Sequence, residues 1–401
     1  MDMLRLLHEL VEIESPTGDT EAMRERVILE LAALGFAVEL DGDGIRAERP
    51  GRLVAAPAKP ATATERLGRA SAAPAGRLVA APAKPATATE RLGRASAAPA
   101  GHEAPLLLLA HLDTVWARGT LERMPWRVEN GRAYGPGAYD MKAGIVVMLE
   151  AIRRSGTKRA LRVVCTADEE IGSPDGRRLL EAAAEGAAAA LVVEPPDADG
   201  HLKTARKGIG RFRYTITGKP AHSSTPHKGA SAVDELARLV LRLNALADPA
   251  AGVTVNVGVV GGGTRENVVA AEAFADVDVR IATTADRERL DEALHALEPE
   301  TPGTTLELTG SWTRPPMERS PGGARLFEAA REHGRALGLD LEETSSPGGS
   351  DGNLVAALGV PVLDGLGAPG GGAHAEDEHV EVAQLGPRAE LLALLLQAPA
   401  L

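Results

Sequence analysis

Four short apolar runs separate longer amphipathic stretches, and they limit the folds open to this chain. Continuous apolar runs of four to six residues are typical of strands buried on both faces. The stretches at 142–154 and 176–185 have helical periodicity and lie between the runs. This alternation predicts an α/β fold with a mostly parallel sheet and helices on both faces. The runs are LLLLA at 106–110, LRVVCT at 161–166, ALVV at 190–193 and VPVLD at 360–364.

The pattern changes from about Gly208 onward. Alternating stretches at 212–217, 253–260, 272–281 and 305–308 predict strands, and amphipathic stretches at 230–246 and 286–297 predict helices. The order βαββαβ is that of a ferredoxin-like unit. A helix at 322–337 and the VPVLD strand then resume the first pattern. We therefore expect a catalytic domain formed by residues 1–206 and 314–401, interrupted by an α+β domain at 207–313.

The N-terminal segment predicts two helices, at 1–14 and 19–34, with Thr17 or Asp19 as the cap of the second and Gly35 as its end. It lacks the basic start and cleavage site of a signal peptide. The single cysteine requires no oxidising compartment, and no apolar run approaches the ~20 residues of a membrane span. These features predict a cytoplasmic protein. The net charge of -12 disfavours nucleic acid and anionic membranes as partners.

A perfect tandem repeat occupies residues 51–100. The 25-residue segment GRLVAAPAKPATATERLGRASAAPA occurs twice in succession. Two copies without an apolar face are too few for a solenoid. We interpret the repeat as an inserted low-complexity linker, and the alternative is a flap near the functional site.

Acidic and histidine residues follow the four apolar runs, at the positions where strands of a parallel sheet end. Ligands bind outside the carboxyl ends of strands in such sheets, so these side chains can converge although they are distant in sequence. Asp140 lies in a glycine-rich turn before a predicted helix and joins the set. The others are His111 and Asp113 after the first run, Glu169 and Glu170 after the second, Glu194 after the third, and His374 beyond the fourth.

This mixed nitrogen and oxygen set, which contains no thiolate, indicates an open two-metal site rather than a closed structural one. Two ions sharing a carboxylate can activate water between them, and a carboxylate free of metal must then move the proton. The Glu169–Glu170 doublet suits both tasks. If the segment is extended there, one glutamate faces a metal and the other faces the substrate.

Each of these residues also has a structural interpretation, since a histidine after a strand or a glutamate pair is commonly a surface residue, and Asp140 could cap the following helix. Their occurrence together favours the metal site. Two functions of other classes remain as alternatives. An inactive binding homologue would lack ligands or the base, and metal-dependent phosphoryl transfer is disfavoured because no Walker loop is present.

Six segments together resemble the M20 metallopeptidases, a family that includes glutamate carboxypeptidase of the carboxypeptidase G2 type, acetylornithine deacetylase, succinyl-diaminopimelate desuccinylase and aminoacylase. The resemblance extends over the chain outside residues 51–100. It implies a zinc-exopeptidase-like catalytic domain with an inserted lid and dimerisation domain. The segments are HLDTVW, GPGAYDMKAG, TADEEIGSPDGR, VVEP, GKPAHSSTPHKGASAV and GGAHAEDEHV.

The resemblance implies two zinc ions per chain, with cobalt or manganese as alternatives. Asp140 would bridge them, and the peptide bond that follows it would be cis. Asp113 would orient the imidazole of His111, and Glu169 would act as general base and acid. The remaining ligands would be His111 and Glu194 on one ion, and Glu170 and His374 on the other.

The resemblance also implies residues on the inserted domain that contact substrate. His222 would stabilise the tetrahedral intermediate, often across a homodimer interface, and Asn267 and Arg280 would hold a substrate carboxylate. The substrate would be a small peptide or an N-acyl amino acid. The implied activity is that of a glutamate-carboxypeptidase-type exopeptidase, with an N-acyl-amino-acid deacylase as the alternative.

Four further residues near these segments receive no role. Ser350 and Asp351 lie in a loop that borders the site in relatives. Arg206 and Lys207 follow the glutamate of VVEP by about a dozen residues, and for both we expect a solvated hairpin charge, with a specificity residue as the alternative.

Overall fold

The computed structural model describes residues 2–51 and 104–398, so the tandem repeat lies outside the described residues except for Gly51. The helices in chain order are α1 Met3–Val11, α2 Glu21–Ala33, α3 Ala143–Ser155, α4 Gly176–Ala184, α5 Ala232–Asn244, α6 Thr284–His295, α7 Pro321–Ala336, α8 Asp351–Ala356 and α9 Val382–Gln397. The strands are β1 Ala37–Asp41, β2 Gly44–Arg49, β3 Leu106–His111, β4 Arg127–Glu129, β5 Arg132–Tyr134, β6 Leu161–Thr166, β7 Ala189–Val192, β8 Leu202–Arg206, β9 Gly208–Thr217, β10 Thr254–Gly262, β11 Glu272–Ile281, β12 Thr305–Arg314, β13 Glu343–Ser346, β14 Val362–Leu363, β15 Gly370–Gly371 and β16 His379–Glu381.

The main sheet has the strand order β1-β2-β6-β3-β7-β14. Strands β6, β3, β7 and β14 run parallel, and β1 and β2 form an antiparallel edge. The four predicted apolar runs supply the parallel strands, so the prediction of a mostly parallel sheet is confirmed.

Strand β3 is buried on both faces, as its apolar run predicts. Leu106 and Leu108 belong to a core that also includes α1, α3 and α9. Leu107 and Leu109 point to the opposite face and pack with residues of α4 and α8. Because side chains alternate along a strand, a run without polar interruption fits only a strand covered on both sides.

Residues 208–314 form a second sheet with the strand order β10-β11-β9-β12, in which every neighbouring pair is antiparallel. Helices α5 and α6 cover one face through a separate apolar core, which includes Leu239 of α5 and Leu290 of α6. The element order βαββαβ and this strand order are those of a ferredoxin-like unit, so the expected α/β fold with an inserted α+β unit is confirmed.

The start of α2 differs from the prediction. Thr20 occupies the cap position and makes no side-chain capping bond. The two predicted caps have other partners, since the Thr17 hydroxyl donates to the Asp113 carboxylate and Asp19 pairs with Arg118. Tertiary contacts therefore take both side chains away from the helix end.

The sequence analysis did not predict α9 or the small sheet of order β15-β16-β5-β4. Pro387 lies inside α9, where proline ordinarily ends a helix. The strands of the small sheet have two or three residues each, too few for a periodic pattern. Among the helices of residues 2–51 and 104–398, none is long and apolar enough to cross a membrane.

Candidate metal centre

The predicted ligands lie at one edge of the main sheet. His111 is the last residue of β3, while Glu170 and Glu194 follow β6 and β7. Because these strands are parallel, their carboxyl ends meet at the same edge. Asp140 lies just before α3, and His374 lies in the loop between β15 and β16.

Close packing of α3 against the sheet brings Asp140 to this edge. Gly144 permits the approach, because a Cβ there would lie 1.9 Å from the carbonyl oxygen of Val193. The peptide bond between Asp140 and Met141 is cis, as the resemblance implies.

Two groups of ligand atoms share Asp140. In the first group, His111 Nε2 lies 3.1 Å from Asp140 Oδ1 and 3.5 Å from Glu194 Oε1. In the second, His374 Nε2 lies 3.5 Å from Asp140 Oδ2 and 3.3 Å from Glu170 Oε2. Within each group the ligand atoms lie within 4.8 Å of one another, a spacing that fits one ion per group.

The electrostatics of the two groups favour bound cations. Burial, together with the neighbouring Asp140 carboxylate, raises the pKa of Glu194 well above its ordinary value. Burial also disfavours the charge of Asp140, but its contacts with His111 and His374 outweigh burial and lower its pKa. Glu170 Oε1 is buried and has no hydrogen-bond partner in the described part of the chain. Crowded buried carboxylates and an orphaned oxygen are satisfied by divalent cations, so these residues fit a dinuclear metal centre.

The ring of His111 is oriented through the main chain of Asp113. His111 Nδ1 donates to the Asp113 carbonyl oxygen at 2.8 Å, whereas the nearest Asp113 carboxylate oxygen is 3.5 Å away. This bond leaves Nε2 of His111 free to bind a metal. The Asp113 carboxylate accepts the backbone N–H groups of Glu169 and Glu170 at 3.1 and 3.2 Å, so Asp113 fixes both sides of the centre.

The Glu169–Glu170 doublet is not extended, contrary to the expectation. It forms a single 3₁₀ turn, Glu169–Ile171, because the Asp113 carboxylate holds the two successive N–H groups. The two side chains still diverge. Glu170 faces His374, and Glu169 accepts from Arg314 Nη2 at 2.7 Å.

Glu169 lies at this edge and outside both ligand groups. Burial raises its pKa to about 7, and the nearby Arg314 and His111 limit the rise. A carboxyl group with a pKa near neutrality can both accept and donate a proton at neutral pH.

The sequence analysis missed Arg314, which lies at the end of β12 and is buried. Its Nη1 donates to Asp351 Oδ1 at 2.8 Å, and its Nη2 donates to Glu169 and to Ser173 Oγ. Asp351 also accepts from Thr166 Oγ1 at 2.6 Å. Asp351, which received no role from the sequence, therefore anchors the arginine that contacts Glu169.

Arg206 is not a solvated charge, so that expectation is wrong. Its side chain is 3 % exposed and donates twice to Asp364, at 2.7 and 2.9 Å. Its Nη2 also lies 3.8 Å from Glu194 Oε2. Ser350, the N-cap of α8, donates to the same Asp364 carboxylate at 2.6 Å. Lys207 is partly exposed.

The residues predicted to contact substrate lie in the second unit, Arg280 on a strand and His222 and Asn267 in loops, whereas the predicted metal ligands lie in the first. His222 is exposed, and its Nδ1 contacts Ser224 Oγ at 2.8 Å. Asn267 lies beside it, since its carbonyl accepts the N–H of Ser223. Arg280 lies on β11 and donates twice to Asp278, at 2.7 and 3.0 Å. The structure brings His222 and Asn267 together and places Arg280 in an ion pair.

Comparisons with known proteins agree with this architecture. Residues 107–398 match the sequence model of peptidase family M20/M25/M40. Carboxypeptidase G2 of Pseudomonas sp. (strain RS-16) is 33% identical over 311 residues, which cover 73% of each chain. Succinyl-diaminopimelate desuccinylase of Acidovorax ebreus (strain TPSY) is 29% identical over 279 residues, covering 64% of this chain and 70% of the relative. The crystal structure of aminopeptidase PepT from Bacillus cereus ATCC 10987 superposes with a TM-score of 0.74 at 20% identity and covers 98% of this chain and 97% of that chain.

Proposed function

The chain belongs to peptidase family M20/M25/M40 and is a metal-dependent hydrolase, and from this premise we propose that it is a di-metal exopeptidase that releases a C-terminal amino acid from a small peptide. The observation that carries the proposal is the placement of Asp140 between two histidine–glutamate pairs, with Glu169 beside them and outside both.

His111, Asp140 and Glu194 would hold one ion, and Asp140, Glu170 and His374 would hold the other. Zinc is the proposed metal, because it accepts imidazole and carboxylate ligands and leaves room for substrate in open sites. When bound, the two ions supply a water of lowered pKa and polarise the amide carbonyl.

Glu169 takes up a proton from the attacking water and delivers it to the leaving amine nitrogen. Arg314 holds Oε1 of Glu169 and leaves Oε2 for this exchange. Asp113 supports the same step by fixing the backbone of Glu169. Because only 12 % of the Glu169 side chain is exposed, its carboxyl group exchanges protons with the substrate site rather than with bulk water.

Arg280, Asn267 and His222 would bind the substrate on the inserted unit. A guanidinium fork suits a terminal carboxylate. Arg280 is held by Asp278, so a substrate carboxylate would have to compete with that aspartate or share the guanidinium with it. His222 would stabilise the oxyanion from the partner subunit of a homodimer.

The proposed domain boundaries lie where the chain passes from one sheet to the other. Where the chain leaves and re-enters the catalytic unit, the backbone N–H of Arg206 donates to the Met317 carbonyl and the N–H of Met317 donates to the Arg206 carbonyl. This pairing supports a catalytic domain of residues 1–206 and 314–401 and a lid and dimerisation domain of residues 207–313.

Carboxypeptidase G2 gives the stronger of the two reported sequence matches, which favours the glutamate-carboxypeptidase type. An N-acyl-amino-acid deacylase is the second candidate, favoured by the similarity to a desuccinylase. Both activities hydrolyse an amide next to a carboxylate, so the proposed residues serve either one.

The test is hydrolysis of a panel of C-terminal-glutamate peptides and N-acyl amino acids by zinc-loaded protein. We expect the peptides to be cleaved faster than the acyl amino acids, and Glu169→Ala to lower kcat by about 10²- to 10⁴-fold while keeping both metals. Glu181→Ala, on the exposed face of α4, is the control and keeps full activity. Undiminished activity of the Glu169 variant would remove Glu169 from the mechanism, and faster cleavage of acyl amino acids would favour the deacylase.

A further inference from the structure

Glu378 lies in the loop that carries His374, yet its carboxylate is directed at the segment that carries Asp140. Its side chain is buried, with 1 % of the residue exposed. Oε1 accepts the backbone N–H groups of Tyr139 and Asp140, each at 3.0 Å. Oε2 accepts the backbone N–H of Gly137 at 2.9 Å and Nε1 of Trp116 at 2.6 Å. Each carboxylate oxygen therefore accepts two N–H groups.

The four hydrogen-bond donors to the Glu378 carboxylate are neutral N–H groups rather than cationic side chains. Burial raises the pKa of Glu378, while the N–H groups of Asp140, Gly137 and Trp116 oppose the rise. A buried carboxylate costs free energy unless its oxygens are satisfied, and four donors satisfy it. A glutamate in this place makes bonds that no apolar or amide side chain reproduces.

The loop around His374 is short and tightly closed. Ala375 N donates to Gly372 O at 2.8 Å, and Glu378 N donates to Ala375 O at 3.0 Å. Gly372 has a φ of 70°, and a Cβ there would lie 2.8 Å from the Asp377 carbonyl carbon. His374 itself has a φ of 62°, which is uncommon for a residue other than glycine. A displacement of Glu378 would therefore move His374 with it.

We propose that Glu378 is a positioning residue of the dinuclear metal centre, which fixes the Asp140 main chain relative to the His374 loop so that both ligand groups form at once. The proposal rests on the metal centre described above. It explains why Asp140 can present one oxygen to His111 and the other to His374, since Glu378 connects the two segments that supply the second group. Residues that hold metal ligands commonly change metal affinity about 10- to 100-fold when they are replaced.

Glu378→Gln gives a sharp test because it nearly preserves size while an NH₂ donor replaces one acceptor oxygen and the negative charge is removed. In either orientation the amide NH₂ faces two N–H donors, so two of the four bonds are lost and replaced by donor–donor contacts. Glu376→Gln is the matched control, because Glu376 lies in the same loop, exposed, in a surface pair with Arg123.

The experiment is a titration of metal-free full-length protein with Co²⁺ in competition with a chelator, with visible absorption recorded at each step. We expect Glu378→Gln to bind the weaker-held ion at least about tenfold less tightly and to change the Co²⁺ spectrum. Glu376→Gln should match wild type. Wild-type affinity and spectrum in Glu378→Gln would overturn the proposal, whatever happens to its thermal stability.

Trp116→Phe serves if Glu378→Gln does not fold, because it removes a single donor to Oε2. We then expect a smaller loss of affinity in the same direction, and unchanged binding would overturn the proposal. Wild-type protein that binds fewer than two ions would overturn the metal centre itself, and the role of Glu378 with it.

Discussion

Arg314 places one buried guanidinium between two carboxylates, those of Glu169 and Asp351. The bonds to both are short, at 2.7 and 2.8 Å, and the arginine side chain is 3 % exposed. A planar fork can serve two carboxylates in fixed directions, whereas an ammonium is a single point charge. The geometry of Arg314 therefore sets the direction of the Glu169 carboxyl group as well as its charge environment.

Arg314→Lys keeps the positive charge and loses the fork. We expect kcat to fall about tenfold or more with little change in KM, because a misdirected proton carrier slows the chemical step. Both metals should remain bound, since Arg314 contacts neither histidine ligand. Steady-state kinetics and metal analysis are the measurements. Arg319→Lys, in an exposed pair with Glu343, is the control, and equal kcat for the two variants would contradict this role.

Several candidate metal ligands could be located from the sequence because they adjoin an element with a strong local pattern. His111 is the last residue of β3 and Glu194 comes shortly after β7, so the end of each strand fixes their place. Arg314 and Arg206 could not be predicted in the same way. Their partners Asp351 and Asp364 are 37 and 158 residues away in the chain, and only the folded structure brings them together.

At the scale of the element, local patterns identified the central strands and failed at the ends of helices. Thr17 and Asp19 have the chemistry of helix caps, but Asp113 and Arg118 compete for them. The 3₁₀ turn at Glu169 has the same cause, because a distant carboxylate organises its backbone. Side chains that bond across the fold override local propensity at these positions.

The C-terminal part of α3 contains a charge cluster that predicts an acid-sensitive stability. Burial disfavours the charge of Glu150, but hydrogen bonds from Arg153 and Arg154 outweigh burial and lower its pKa to about 2 from an ordinary 4.5. A carboxylate with a lowered pKa in the folded state stabilises the fold above its unfolded pKa, and this contribution is lost as the pH falls from about 4.5 toward 2.

Glu150→Gln should therefore be less stable than wild type near neutral pH, and this difference in stability should shrink in acid. Relative to wild type, we expect its deficit in the free energy of unfolding to shrink by about 1 kcal/mol between about pH 6.5 and about pH 4. Chemical denaturation at the two pH values measures it. Glu390→Gln, which removes a more exposed partner of Arg154, is the control and should show a smaller change. A deficit independent of pH would contradict the assigned pKa.

At the scale of the whole molecule, the two sheets have separate apolar cores, and the predicted site residues are divided between them. The candidate metal ligands and Glu169 lie on the first unit, while His222, Asn267 and Arg280 lie on the second. The sequence pattern predicts both units, because each has its own order of strands and helices. It does not predict how a substrate would bridge them, since that depends on contacts between folded surfaces.

If His222 acts on the active site of a partner subunit, two inactive variants should restore each other. In a mixed dimer of Glu169→Ala and His222→Ala chains, one active site has both Glu169 and His222 intact and the other has neither. Random pairing makes half of the dimers mixed, so we expect roughly a quarter of wild-type activity.

The measurement is kcat after subunit exchange, with mixed dimers verified by native mass spectrometry. Each variant taken through the same exchange alone should stay inactive. Mixed dimers without activity would place His222 in its own subunit's site, and a chain that stays monomeric while active would exclude the cross-subunit arrangement altogether.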